Sequence, residues 1–450
     1  MREPQQHVGF DEDGTEPVDR ESRDVRGRRM LADLLTASHL MPLELLPAKV
    51  AEHAAAVGFS QVLVYLADLQ RDVLRLLTGE GQDAGRGGGG EESELTVEGS
   101  VAGRAYQYGQ ILAGAPVGPD GRQWWVPLLD GTERLGALRI TTTDDDPRTR
   151  EDMNVLAALV ALIVESKQGS SDSHARLTRT RPLNIAAEMQ WHLMPPRTYA
   201  DGRVVISAAM EPAHTISGDA YDYATAGHVV HLSIFDAMGH DTAAGLTAHL
   251  SMGACRNSRR QGAGLVEITE RIEEVLIEQF GLTRYATGLL AELDTRTGAL
   301  TWVNRGHHPP VIIRGGRWSS HLRGRPAHPM GTALGLPTTL FHAQLEPGDR
   351  IVFYTDGITE ARGADGQEFG LRRFTDFLIR RHADGLPVPE TLRRLVHAVL
   401  EYHDGQLQDD ATVLICEWLG PAADPSDLAA ALVGLPPRPH PETGTKTETA

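Results

Sequence analysis

Between residues 204 and 417 the chain repeats one pattern: a strand-length run of β-branched and aromatic residues that meets an aspartate at its end. Residues 229–235 lead into Asp236, residues 350–354 lead through Thr355 into Asp356, and residues 411–416 follow directly on Asp409 and Asp410. Residues 204–210, 287–293 and 300–303 have the same extended character. Helical periodicity occupies 243–260, 265–280, 371–381 and 389–402. A further acidic motif, Ser217-Gly218-Asp219-Ala220-Tyr221-Asp222, lies between two of the strand runs. Such a chain has few ways to fold. Each strand must bury its apolar side, and carboxylates at strand ends are then gathered at a shared edge.

Several carboxylates at one edge repel one another and resist ionising together. A cation removes that conflict, and oxygen donors without cysteine suit magnesium, manganese or calcium. Glycines beside the aspartates (Gly218, Gly239 and Gly357) allow backbone to approach closely. Any one of these aspartates alone reads as an ordinary turn residue, since Asp-Gly is a common turn. Four in order read as a metal site built from Asp219, Asp236, Asp356 and Asp409.

The rest of the chain narrows the class. With 450 residues, 41% of them hydrophobic, it has room for two or three domains with sizeable cores. A formal charge of −18 at pH 7 disfavours general nucleic-acid binding, which needs basic surface. The longest apolar run, residues 155–164, is far short of the ~20 residues of a membrane span. The N-terminus has no apolar signal core. Cys255 and Cys416 are the two cysteines, too few for a disulfide framework or zinc cluster. The expectation is a cytoplasmic chain without nucleic-acid or membrane partners.

Residues 1–29 are charged and poor in apolar residues, and are expected to form a disordered arm. Residues 420–450, rich in Pro, Thr and Ala, are expected to form a disordered tail. Residues 30–168 read as one α+β unit. It has a helix over 43–57, strands at 61–66 and 72–77, a Gly-rich loop at 82–92 and a short helix at 100–106. Strands at 123–129 and 135–140 follow around an Asp130–Gly131 turn, and a helix over 148–166 closes the unit. Residues 169–195 form a linker whose helix, 182–193, is stopped by Pro195 and Pro196. The helices between 148 and 194 offer a surface on which a second copy could pair to give a homodimer.

The element order of 30–168, with phrases such as VPLLDGTERLGALRI, resembles a GAF domain, a small sensory module with a central antiparallel sheet. No residue in it points to a particular ligand. The second half carries a more specific resemblance. Ser217-Gly-Asp-Ala-Tyr-Asp222, Phe235-Asp-Ala-Met-Gly-His240, Asn304-Arg-Gly-His-His-Pro-Pro310, Pro347-Gly-Asp-Arg-Ile-Val-Phe-Tyr-Thr-Asp-Gly-Ile-Thr-Glu-Ala361 and Asp409-Asp-Ala-Thr412 follow one another as in the SpoIIE-type branch of the PPM phosphatases. The resemblance implies an α/β/β/α sandwich over residues 196–419 with two Mn2+ or Mg2+ ions at one end. It implies that Asp236 bridges the ions and the carbonyl of Ala237 binds the second. Asp356 and Asp409 would bind the first, and Asp219 would stand near the second, directly or through water. Asp236 and Asp356 would be the core of catalysis. Asp222, His240 and Asp410 would stand just outside the ligands. His307 and Glu360 read as residues that hold their loops.

The activity implied is hydrolysis of phosphoserine or phosphothreonine by metal-activated water, under control of the N-terminal unit. The substrate implied is a regulatory phosphoprotein of the anti-anti-sigma kind. The alternatives are a pseudophosphatase acting by contact and a ligand-sensing regulator. Two positions depart from the family pattern. Ser217 and Asp241 stand where glycines are usual. Asp241 would cap the helix that begins near Thr242, or else add negative charge at the metal edge.

Overall fold

The computed structural model describes residues 18–421 apart from 80–92, 212–217, 240, 317, 323, 364–365, 385, 404–406 and 408. The Gly-rich loop, His240, Ser217 and the C-terminal tail beyond 421 therefore lie outside the described residues. None of the described helices is long and apolar enough to cross a membrane.

The N-terminal unit comprises α1 (Val18–Ser38), α2 (Leu46–Ala54), β1 (Gln61–Ala67), β2 (Val73–Leu76), β3 (Glu94–Thr96), α3 (Val101–Tyr108), β4 (Leu112–Val117), β5 (Gly121–Asp130), β6 (Glu133–Thr142) and α4 (Pro147–Gln168). Its antiparallel sheet has the order β3-β2-β1-β6-β5-β4. Strand alternation divides its side chains. Val62, Val64, Leu138 and Ile140 meet α1, α2 and α4, while Tyr65, Trp125 and Ala137 meet α3. The hairpin and helices expected from the sequence are present, but the arm expected over 1–29 is helical from Val18. The helix is held by partners distant in sequence. Arg23 pairs with Asp144, Asp146 and Asp152, and Met30 and Leu34 are buried against α4 and the sheet.

Two short helices follow, α5 (Asp172–Thr178) and α6 (Ile185–Leu193). The latter starts three residues later than the sequence suggests. Asn184 caps it by accepting from the Ala187 N–H, which leaves Pro182 outside.

The C-terminal unit comprises β7 (Thr198–Ala200), β8 (Val204–Glu211), β9 (Asp219–Ala226), β10 (Val229–Ala237), α7 (Thr242–Arg260), α8 (Leu265–Phe280), β11 (Ala286–Asp294), β12 (Ala299–Arg305), β13 (Val311–Arg314), β14 (Trp318–His321), β15 (Phe341–Gln344), β16 (Asp349–Tyr354), α9 (Asp356–Thr359), α10 (Gly370–Ala383), α11 (Val388–Tyr402) and β17 (Ala411–Trp418). The strands form two antiparallel sheets, β15-β12-β11-β10-β9 and β14-β13-β16-β17-β8-β7. They stack on a core that includes Ile206, Leu232, Leu289, Phe353 and Leu414. The outer face of the first sheet is covered by α7 and α8, through Ala244, Met252 and Ile272 on Phe235 and Leu290. That of the second is covered by α9, α10 and α11, through Phe374, Leu392 and Leu395 on Val352 and Val413. The result is a four-layer α/β/β/α arrangement. Central strands such as β17 are buried on both faces, so the middle of β17, residues 413–416, reads as an unbroken apolar run.

Candidate active site

The acidic end of the sandwich is assembled by strand pairing. Asp219 opens β9 and Asp236 nearly closes β10, and the antiparallel register sets them directly opposite each other. On the facing sheet, β16 ends at Tyr354, so Asp356 opens α9, while Asp409 and Asp410 lead into the neighbouring β17. Two bonds stitch the sheets together here. The Thr355 hydroxyl donates to Asp219 Oδ2 at 2.7 Å, and the Gly218 N–H donates to Asp410 Oδ2. Thr355 also accepts from the Thr412 N–H at 2.9 Å. From the linker, Gln190 on α6 donates to the Asp219 carbonyl at 2.5 Å.

Two glycines make this closeness possible. A Cβ on Gly218 would lie 2.8 Å from the Ala237 carbonyl oxygen and 2.6 Å from that of Gly239. A Cβ on Gly357 would lie 1.9 Å from the Asp410 carbonyl oxygen, so no larger residue lets α9 seat against the β17 entry.

The electrostatics match the crowding. Burial, followed by the negative charges of Asp356, Asp409 and Asp410, pushes Asp236 up to about 7. Burial, then Asp236 and Asp410, raises Asp219 well above the usual carboxylate range. Asp356 is raised by burial and then Asp409, with His308 opposing. Carboxylates that resist ionisation because of one another form an all-oxygen donor set that a hard divalent cation would relieve. The residues present thus fit such an ion. The predicted aspartates do not close into one tight group. Among the described residues, the set whose ligand atoms all lie within 4.8 Å of one another is His308, Asp356 and Glu360.

The remaining expected residues divide. Asp222 turns away from the acidic end. It sits three residues after Asp219, hence on the opposite face of β9. There its two oxygens take Arg256 at 2.7 Å and Arg259 at 2.9 Å from α7. Its place just outside the ligands is therefore corrected to a structural ion pair. Asp410 is buried and engaged with Gly218, whereas Asp409 is exposed and accepts from the Asp410 N–H. Asp241 caps α7, accepting from the Ala244 N–H at 2.8 Å, and pairs with Arg284 at 2.8 Å. The Arg284 bonds and the cap hold its carboxyl below the usual range. His307 is wholly structural. Its Nδ1 accepts from Thr287 and its Nε2–H donates to the Tyr354 carbonyl, and burial pushes it down to about 3. Sequence reasoning missed Thr355, Gln190 and Arg284. Only Thr355 carried a local signal, between a strand and its aspartate.

The family model for stage II sporulation protein E (SpoIIE) matches residues 226–419. Residues 226–419 form a SpoIIE-type PPM phosphatase domain. The match takes in Asp236, Asp356, Asp409 and Asp410 and begins after Asp219. The chain is 23% identical over 233 residues to the phosphoserine phosphatase RsbU of Bacillus subtilis, covering 52% of this chain and 69% of RsbU. It is 24% identical over 190 residues to the phosphoserine phosphatase RsbP of the same organism, covering 41% of this chain and 47% of RsbP. Among solved structures, the SiaA-PP2C domain of Pseudomonas aeruginosa is similar at 20% identity and a TM-score of 0.44, over 52% of this chain and 94% of that one.

Proposed function

We propose that this chain is a metal-dependent serine/threonine protein phosphatase whose substrate is a phosphorylated regulatory protein of the anti-anti-sigma kind. The observation that carries this reading is Asp236. It is nearly buried at the acidic end of a SpoIIE-type domain, and its charged neighbours there are other carboxylates. Asp236 with the Ala237 carbonyl would hold one Mn2+ or Mg2+, with Asp219 behind them, and Asp356 with Asp409 would hold another. Such ions supply a water of lowered pKa and neutralise the phosphoryl oxygens.

The chain's own residues position these groups. Thr355 fixes the Asp219 carboxylate, and Gly218 and Gly357 let the two sheets meet. His307 ties β11 to the end of β16, which sets where Asp356 begins. Arg284 neutralises Asp241, so the departure from the family's glycine adds no uncompensated negative charge at the rim a phosphate must cross. We also read residues 30–168 as a GAF-like regulatory module, 169–195 as its linker and 196–419 as the effector. Support comes from the bonds between them, such as Gln190 to Asp219.

The test is phosphate release from a phosphoserine peptide and from a phosphorylated anti-anti-sigma-type protein by the full chain with Mn2+. Release should stop with chelator and fall roughly 100-fold or more in Asp236→Asn. Metal binding without any release would favour the pseudophosphatase alternative.

A further inference from the structure

We propose that His308, Asp356 and Glu360 form a mixed nitrogen–oxygen site for a divalent cation, one that takes manganese in preference to magnesium. The proposal rests on the metal-dependent reading in sharing Asp356, but the site is visible without it. One ligand atom from each of the three residues lies within 4.8 Å of the other two. Ligands of a small divalent ion stand ~3 Å apart, since its bonds are ~2.1 Å long, so modest side-chain rotation closes the set.

The elements explain the convergence. Asp356 and Glu360 are four residues apart around α9, so they share one face across a single turn. The turn is closed by the Glu360 N–H donating to the Asp356 carbonyl at 2.7 Å. The imidazole comes from the loop between β12 and β13. The two histidines of that loop have opposite fates. His307 uses both ring nitrogens, on Thr287 and Tyr354. His308 takes no hydrogen bond among the described residues. Its ring stacks on Tyr354, with centroids 5.7 Å apart and planes 22° apart. Tyr354 stands two residues before Asp356, so one strand end orients both the ring and the carboxylate. His308 is half-buried and both Glu360 and Asp409 are exposed, which leaves the ion's remaining positions open to Asp409, to water or to a phosphoryl oxygen.

The donor set decides the preference. Magnesium demands oxygen ligands and a near-ideal octahedron, whereas manganese accepts imidazole alongside carboxylates. The ion at Asp356 would then differ from the all-oxygen one expected at Asp236.

Pulsed electron paramagnetic resonance on the full chain, titrated to saturation with Mn2+ alone, reads nitrogen ligation directly. The wild type should show 14N modulation from a coordinated imidazole, and His308→Gln should lose it. Mn2+ affinity in His308→Gln should fall roughly tenfold, with Mg2+ affinity nearly unchanged. Absence of 14N modulation in the wild type would overturn the proposal, as would its persistence in the variant or an equal loss of both metals. The wild-type spectrum stands as a test even if the variant fails to fold. Intact modulation in a chain that releases no phosphate would defeat the phosphatase reading and leave this site standing.

Discussion

Two buried polar residues show how much a single side chain depends on what faces it. His307 is held neutral by burial and by a donor and an acceptor matched to its two nitrogens. In the unfolded chain a histidine titrates near ~6.5. Between that value and about 3 the native state binds fewer protons than the unfolded one, so this contribution is present above pH ~6.5 and is lost as the pH falls. Urea denaturation should show the stability gap between wild type and His307→Gln shrinking from about pH 7 to about pH 4. Asp222 makes the complementary point. Removing it leaves Arg256 and Arg259 facing each other beneath α7. Asp222→Ala should cost about 3 kcal/mol in the same assay. Its Mn2+ affinity should stay near wild type, because the carboxylate lies on the far face of β9.

At the scale of elements, the site depends on α9 being docked rather than merely formed. A helix of four residues has little stability of its own. Its position comes from the contact of Gly357 with the Asp410 backbone. Gly357→Ala should therefore displace α9, weaken Mn2+ binding and abolish phosphate release. Gly253→Ala is the control, since a Cβ there meets nothing within 4 Å and alanine favours the helix interior. Loss of activity in both variants would show that the docking of α9 is not the cause.

Across the whole molecule, the two units are joined by a charged seam. Arg393 on α11 holds Glu390 at 2.9 Å and also Glu98 of the N-terminal unit, and Gln107 reaches Glu390 at 3.2 Å. Nearby, Arg197 donates to the Leu69 carbonyl at 2.6 Å, and Asp72 pairs with His397 at 2.9 Å. A small cavity lined by Arg71, Arg197, Met210 and Arg393 lies along this seam. Charged, partly buried pairs lose heavily when one partner goes, because the other is left uncompensated. Scanning calorimetry of Arg393→Ala should split one unfolding transition into two, with the N-terminal unit melting first. A single unshifted transition would mean the units are coupled elsewhere.

The strands that end on aspartates, the four helices between them and the hairpins of the N-terminal unit were legible because periodicity and turn chemistry are local. The same locality marked Asp236 and Asp356. The sequence by itself determined which residues could gather at one edge. What each of them does there was decided by long-range packing. Asp222 and Asp219 lie in one motif, yet the face each takes depends on β9 pairing with β10 and being covered by α7. Asp409 and Asp410 are adjacent and chemically identical, and it is Asp410 that the Gly218 N–H meets from the other sheet and that lies in the interior. Residues 18–29, too polar to predict as helix, are ordered by acidic partners more than a hundred residues away. Likewise His308 gains a role only because β16 brings Tyr354, Asp356 and Glu360 beneath its loop.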